Sequence, residues 1–248
     1  MPEYCHMFEQ DKRYLEAMMF RKILFRTGLV TALTLGSTLP LAAESFNYLF
    51  SIRLGIVQIG EMRIKGDDRG GRYETSGKLY TTGLAGALYN VAYTYSAAGN
   101  SSNRWRLLPK LFTAKIFEDG KTRTEEIRYN GDRIMSINGK PPKESQDVRG
   151  SVDPMTLIYI LVRPVPKESV CGGGFVLFDG STRFDVSFVN ARKYNDGRVT
   201  CDVKYGGKGG GRGVAVSGVT YEPGDDGWMY IRNFAAETSI GTLKATLR

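Results

Sequence analysis

Histidine is almost missing from this chain: the 248 residues contain one, His6. Without an imidazole further along, neither a Ser-His-Asp nor a Cys-His nucleophile can be assembled. Imidazole-based zinc and copper sites are excluded with them. Cysteine is scarce too, and past Cys5 only Cys171 and Cys201 remain, with no C-x-x-C pair to suggest a redox dithiol and too few thiolates for a closed zinc site. No apolar run reaches the roughly 18–20 residues that a spanning helix needs. A phosphate loop is missing as well. The glycine-rich stretch Gly206–Gly213 fits neither G-x-x-x-x-G-K-[ST] nor G-x-G-x-x-G, and the pattern after it is that of a strand, not of a helix that would aim its N-terminus at a phosphate. It reads as a flexible loop. No repeat of fixed period points to a solenoid or propeller.

The longest apolar run, Thr27 to Leu39, follows the basic cluster Arg21, Lys22 and Arg26 and precedes Pro40 and the small pair Ala42-Ala43. Basic, apolar and then small is the order of a secretory signal peptide. The expectation is cleavage after Ala43, a true start at Met18 or Met19, and export to the periplasm. Residues 1–43 are then leader and signal, and residues 44–248 form a single domain. No cysteine stands at the cleavage point, which argues against a lipid-anchored product. The net charge of +8 changes little when residues 1–43 are removed. It is compatible with anionic partners, but the basic residues are spread along the chain as on a solvated surface.

What the chain does have is alternation with a period of two. Phe46, Tyr48, Phe50, Ile52 and Leu54 share one face, and the pattern returns at Val91/Tyr93/Tyr95, Phe112/Ala114/Ile116, Phe184/Val186/Phe188, Val199/Cys201/Val203/Tyr205 and Leu243/Ala245/Leu247. Half-buried strands read this way. Asx-Gly pairs at 119–120, 130–131, 138–139, 179–180, 196–197 and 226–227 supply turns that need positive φ, which predicts consecutive antiparallel hairpins. The fold class expected is therefore all-β, mainly antiparallel: a curled up-and-down sheet, barrel or half-barrel, that protects its own edges.

Two segments interrupt the pattern. Thr82–Tyr89 reads as a short helical or loop insertion. Asp153-Pro154 followed by Met155, Leu157, Ile158, Tyr159, Ile160 and Leu161 reads as an N-cap, a proline at the first helical position and a strongly apolar helix, stopped by Pro164 and Pro166. Such a helix has to be buried, and the concave side of the sheet is the place for it. Asn138–Gly150, polar and containing prolines, reads as a linker or mobile loop.

The chemistry-bearing residues are few. Glu125 and Glu126 are neighbours on one strand and so point to opposite faces, Asp225 and Asp226 sit at a turn, and Asp179/Asp185 read as a turn residue and a polar-face residue. No catalytic, metal or cofactor residue is assigned, and the protein is expected not to be an enzyme. Tyrosines such as Tyr48, Tyr73, Tyr80, Tyr89, Tyr93 and Tyr95 are read as core, with the reservation that a hollow barrel lined by them would accept an acyl chain. Cys171 and Cys201 form an even pair in an oxidising compartment and are expected to be disulfide-bonded.

A cysteine ahead of Phe178-Asp179-Gly180, then Arg183-Phe184-Asp185, then Cys201, resembles the bacterial envelope family catalogued as domain of unknown function 3108. The progression Ser96, Gly99, Pro109, Phe112, the helix opened by Asp153-Pro154, and the closing "IGTLKATL" from Ile240 strengthen the resemblance, which spans nearly all of residues 44–248. It implies an exported, curled β protein that supports envelope integrity, without cofactor or established activity. A curled sheet closed by an apolar helix is also similar to periplasmic lipoprotein carriers. The functional expectation is a non-enzymatic protein binding an apolar ligand (an acyl chain or a lipoprotein) or another envelope protein, and not nucleic acid. The rivals are a carboxylate-dependent hydrolase of envelope glycans and a purely structural interaction module.

Overall fold

The computed structural model describes residues 44–103, 106–118, 120–143, 148–206, 215–238 and 241–248. The signal-peptide expectation, Asp119, nearly all of the Gly206–Gly213 loop and Ile240 lie outside them. In the first half of the chain the strands are β1 (Glu44–Leu54), β2 (Val57–Arg69), β3 (Arg72–Thr81), β4 (Val91–Asn103), β5 (Arg106–Glu118), β6 (Lys121–Asn130) and β7 (Arg133–Ile137). The second half contributes β8 (Ser151–Val152), β9 (Val165–Pro166), β10 (Gly174–Phe178), β11 (Arg183–Lys193), β12 (Val199–Gly206), β13 (Ala215–Pro223), β14 (Trp228–Thr238) and β15 (Gly241–Leu247). Among the described residues two α-helices interrupt them, α1 (Gly83–Leu88) and α2 (Pro154–Val162).

The strands follow the alternation. In β3, Tyr73, Thr75 and Gly77 are turned inward while Arg72, Glu74, Ser76 and Lys78 are turned outward, and the other runs behave alike. Gly131, Gly180, Gly197 and Gly227 take positive φ in the turns their Asx-Gly pairs foretell. Consecutive hairpins then build one sheet in the order β7-β6-β5-β4-β3-β2-β1-β15-β14-β13-β12-β11-β10-β8. The first and last of these strands thus meet in the middle of the sheet, where Phe50 to Leu54 of β1 pair antiparallel with Leu247 to Leu243 of β15.

Because first and last strands are joined, the break in the sheet falls in the middle of the sequence, between β7 and β8. The described parts of the polar segment expected as a linker or mobile loop, residues 138–143 and 148–150, flank this break. The barrel is nearly closed there: the Gly150 amide donates to the Asp132 carbonyl at 2.8 Å, and Val148 and Ile134 are buried nearby in the core. β8 joins the far edge by a short parallel pairing with β10. β9 lies antiparallel on Trp228 and Met229 of β14, beyond the point where β15 has ended.

Helix α2 is the filling. Asp153 caps it, accepting from the Thr156 amide at 2.8 Å and from the Thr156 hydroxyl at 2.6 Å. Met155, Thr156, Leu157, Tyr159, Ile160, Leu161 and Val162 are all buried, so the helix is enclosed almost all round. Each large apolar side chain among them contributes about 1.5–3 kcal/mol on the transfer scale. Two glycines let the helix come this close. A Cβ on Gly66 would lie 2.7 Å from the Tyr159 ring and run into Phe46, and one on Gly77 would lie 3.1 Å from the Met155 sulfur. β2 and β3 therefore offer bare backbone to the helix where a side chain would push it away.

Candidate functional site

The inner face around α2 is the first place to look for chemistry. Tyr73, from β3, reaches the Thr156 hydroxyl at 2.9 Å. Since Thr156 gives its proton to Asp153, Tyr73 is the donor of that bond, and the three side chains form a chain from strand to helix cap. Tyr73 stacks on Tyr159 at 5.4 Å between ring centroids, Tyr159 on Phe46 at 5.7 Å, and Phe46 on Tyr48 at 4.9 Å. The guanidinium of Arg163, one residue past the helix, lies 5.6 Å from the centre of the Tyr159 ring. At the other end of the helix the Tyr221 hydroxyl donates to the Leu161 carbonyl at 3.0 Å, satisfying one of the acceptors a helix end leaves open.

Electrostatics here are governed by burial. Asp153 is fully buried, and its pKa is pushed up to about 6 by loss of water, against the opposing pull of its Thr156 hydrogen bonds. Burial raises the Tyr73 and Tyr129 phenols as well, and the nearby Asp153 carboxylate adds to both. The Tyr129 hydroxyl is buried without a hydrogen-bond partner among the described residues. A raised carboxylate beside tyrosines has the ingredients of an acid–base site, but Asp153 and Thr156 are sealed from solvent and have no room for a substrate. Their geometry is that of a helix cap and its support.

Two cavities stand out among the described residues. A small one of about 20 Å3 lies between α2 and the Cys171 loop, lined by Ile160, Leu161, Val170, Phe175 and Phe188, and has room for about one water. A groove of about 720 Å3 runs across the outer face of β1–β5. Its outward lining is polar and of mixed charge, with Asn47, Lys65, Asp67, Glu74, Ser76 and Ser96.

The residues expected from the sequence fall as follows. Cys171 and Cys201 are disulfide-bonded, with 5.4 Å between their Cα atoms, and tie the loop after α2 to β12. Cys171 itself takes a left-handed φ of 64°, so the reversal begins at the cysteine, and Gly173 continues it at 88°. The carboxylates are engaged separately: Glu125 with Arg123, Glu126 with Arg128, Asp185 with Arg183, Asp179 capping its own turn through the Ser181 and Thr182 amides, and Asp226 accepting from Tyr230 and the Trp228 amide. No group of three or more metal-ligating side chains is present among the described residues. Tyr73 is core as expected. Tyr80 and Tyr89 are not, because both sit on the outer surface and donate to Glu61 and Glu118. Tyr80 is out of phase with inward Tyr73, Thr75, Gly77 and Leu79, which a strict count along β3 would have found. The Tyr73–Thr156–Asp153 chain joins residues 83 positions apart, and no local pattern announces it.

No helix among the described residues is long and apolar enough to cross a membrane. Residues 49–248 match the family model described as "Protein of unknown function (DUF3108)". No curated protein matches the chain. Among solved structures, a beta-barrel-like protein of domain of unknown function DUF1849 from Brucella abortus is similar, with 12% identity, 82% of this chain and 95% of that chain covered, and a TM-score of 0.50. At that identity the likeness is one of fold alone.

Proposed function

The chain belongs to the DUF3108 family of proteins of unknown function, and on that premise we propose that it is an exported, non-enzymatic module of the cell envelope that binds its partner on its outer surface. The observation that carries this reading is the filled interior. A site for an acyl chain or similar ligand needs some 300–1,000 Å3 of enclosed space. The position such a ligand would take in a curled sheet is held by α2, and the cavity beside the helix measures about 20 Å3. Binding an acyl chain inside would require the helix to leave, and with it the Asp153 cap, the Tyr73 and Tyr221 hydrogen bonds and the aromatic stack.

Export is supported by the basic, apolar, small-residue order of residues 21–43 and by the disulfide, which persists in an oxidising compartment. The non-enzymatic reading is supported by the scatter of the carboxylates, each bound to its own neighbour, and by a sequence without histidine after residue 6. Supporting the integrity of the envelope is the role this reading assigns.

Native mass spectrometry on protein purified from the periplasm of its own cells tests it. The expected spectrum is the processed, disulfide-bonded chain without lipid, and incubation with fatty acid or lipoprotein-derived acyl peptide leaves the mass unchanged. A lipid retained in one-to-one ratio would overturn the outer-surface reading in favour of a carrier. Peptidoglycan hydrolysis abolished by replacing a single Asp or Glu would overturn the non-enzymatic one.

A further inference from the structure

One end of the barrel carries apolar side chains where turns are ordinarily polar. In the β1–β2 turn, Ile56 is 94% exposed and Val57 58%. Across from it stands α1, a helix with no buried residue. Its Leu84 and Leu88 are four positions apart and so share a face, and they are 84% and 89% exposed. The two features are neighbours: the Thr82 amide, at the start of α1, donates to the Ile59 carbonyl of β2 at 3.0 Å, and α1 packs beside β2. A helix this short with both leucines turned to solvent is not using them to hold itself in place.

Cations and carboxylates share the surroundings of this end, and the carboxylates are engaged: Glu61 by Arg248 and Tyr80, and Glu237 by Thr242. Arg53 and Lys244 are exposed and paired across β1 and β15, one residue below the β1–β2 turn. Lys121 opens β6 opposite Glu118. Glu118 accepts hydrogen bonds from Tyr89 and Tyr93, which ties the end of α1 to the β5–β6 hairpin and occupies the carboxylate paired opposite Lys121. Protruding leucine and isoleucine tips with cations set just behind them match an anionic lipid surface: the tips enter the acyl boundary and the cations stay at headgroup level. The net charge of +8 gives the whole molecule the same preference.

We propose that this end, formed by Ile56, Val57, Leu84 and Leu88 with Arg53, Lys121 and Lys244 behind them, docks the protein on the surface of an anionic bilayer. The proposal rests on the outer-surface reading above and names the partner of that surface. It differs from a carrier function in that the lipid stays in the bilayer and nothing enters the barrel.

Co-sedimentation with vesicles tests it, using protein comprising residues 44–248 with its disulfide intact and vesicles of phosphatidylglycerol with phosphatidylethanolamine or of phosphatidylcholine alone. Binding to the anionic vesicles is expected, falling with salt and weak on the neutral ones. The variant Ile56→Ser/Leu84→Ser/Leu88→Ser touches no core residue and keeps its thermal transition while losing about tenfold or more in partitioning. Arg53→Ala and Lys244→Ala each lose about fivefold. Undiminished binding by the serine variant would overturn the proposal, as would absence of binding to anionic vesicles. If the wild type instead forms a dimer that the serine variant cannot form, the patch belongs to a second copy of the chain, and the bilayer proposal fails while the outer-surface reading stands. If lipid is drawn out of the vesicles into a soluble complex, that reading fails as well.

Discussion

At Asp153 one side chain has three roles: it caps α2, it anchors the Tyr73–Thr156 chain, and it is fully enclosed. Burial raises its pKa from 3.8 to about 6. A carboxyl group with a raised pKa prefers its protonated form in the fold. The stability it contributes is therefore complete below the unfolded pKa and is lost as pH rises through about 6. A shift of this size is worth about 2–3 kcal/mol between pH 4 and pH 7.5. Asp153→Asn keeps an acceptor for the cap and does not titrate. Urea unfolding of both proteins should find the variant gaining on the wild type by about that amount across the window, while a constant difference would mean that Asp153 does not titrate there. The Arg192-paired Asp202, held down at about 2, acts in the opposite direction at the surface and cancels from the comparison.

Among the elements, the two helices have opposite fates for reasons of length and surroundings. Helix α2 has a cap, a proline at its first position and a nearly continuous apolar surface, and the glycine-lined backbone of β2 and β3 admits it. Helix α1 has neither a side-chain cap nor a buried face, and is held at its ends by the Thr82 amide and the Tyr89 hydroxyl. The segment that carries α2 is secured downstream by β9 and by the Cys171–Cys201 bond. A cross-link over 30 residues contributes roughly 3–4 kcal/mol on the chain-entropy model. Cys171→Ala/Cys201→Ala should lower the free energy of unfolding by about that amount, with β-sheet circular dichroism retained, since hairpin pairing on both sides of the bond is independent of it. Loss of the sheet signal would mean that the bond is needed to seat the helix.

For the whole molecule, the decisive feature is that first and last strands pair while the middle of the sequence forms the seam. β1–β7 and β8–β15 are held together by the β1–β15 ladder and by α2, which comes from the second half and packs on β3, β4 and β5 of the first. The described residues of 138–150 are tied to the strands by the Asn138–Glu126 pair of hydrogen bonds at one end, the short Ile137–Lys140 bridge, and the Gly150–Asp132 hydrogen bond at the other. Limited trypsin digestion is expected to cut after exposed Lys143 before any strand is lost. The two fragments should then elute together in size exclusion under native conditions and separate in denaturant. Fragments that part under native conditions would show that the middle connection, and not the terminal ladder, holds the halves.

Much of this architecture was legible beforehand. Alternation with a period of two records which face of each strand is buried, Asx-Gly pairs mark the turns, and an Asp-Pro start with an apolar run marks a capped, buried helix. Cys171 and Cys201, the two cysteines after Cys5, made a disulfide the expectation, and the bond is present. Apart from the cysteine count, those are local signals, and each depends on residues within a few positions. Alternation cannot say what lies against the buried face, so the choice between a hollow and a filled barrel had to wait for the packing of α2 against Gly66 and Gly77. The same limit applies to the Tyr73–Thr156–Asp153 chain, to the seam placed at mid-sequence by the β1–β15 pairing, and to the meeting of Ile56 with Leu84 and Leu88 at one end. Those are contacts between distant positions, set by how strands order themselves and how volumes fill the space between them. Only the tertiary structure decides them.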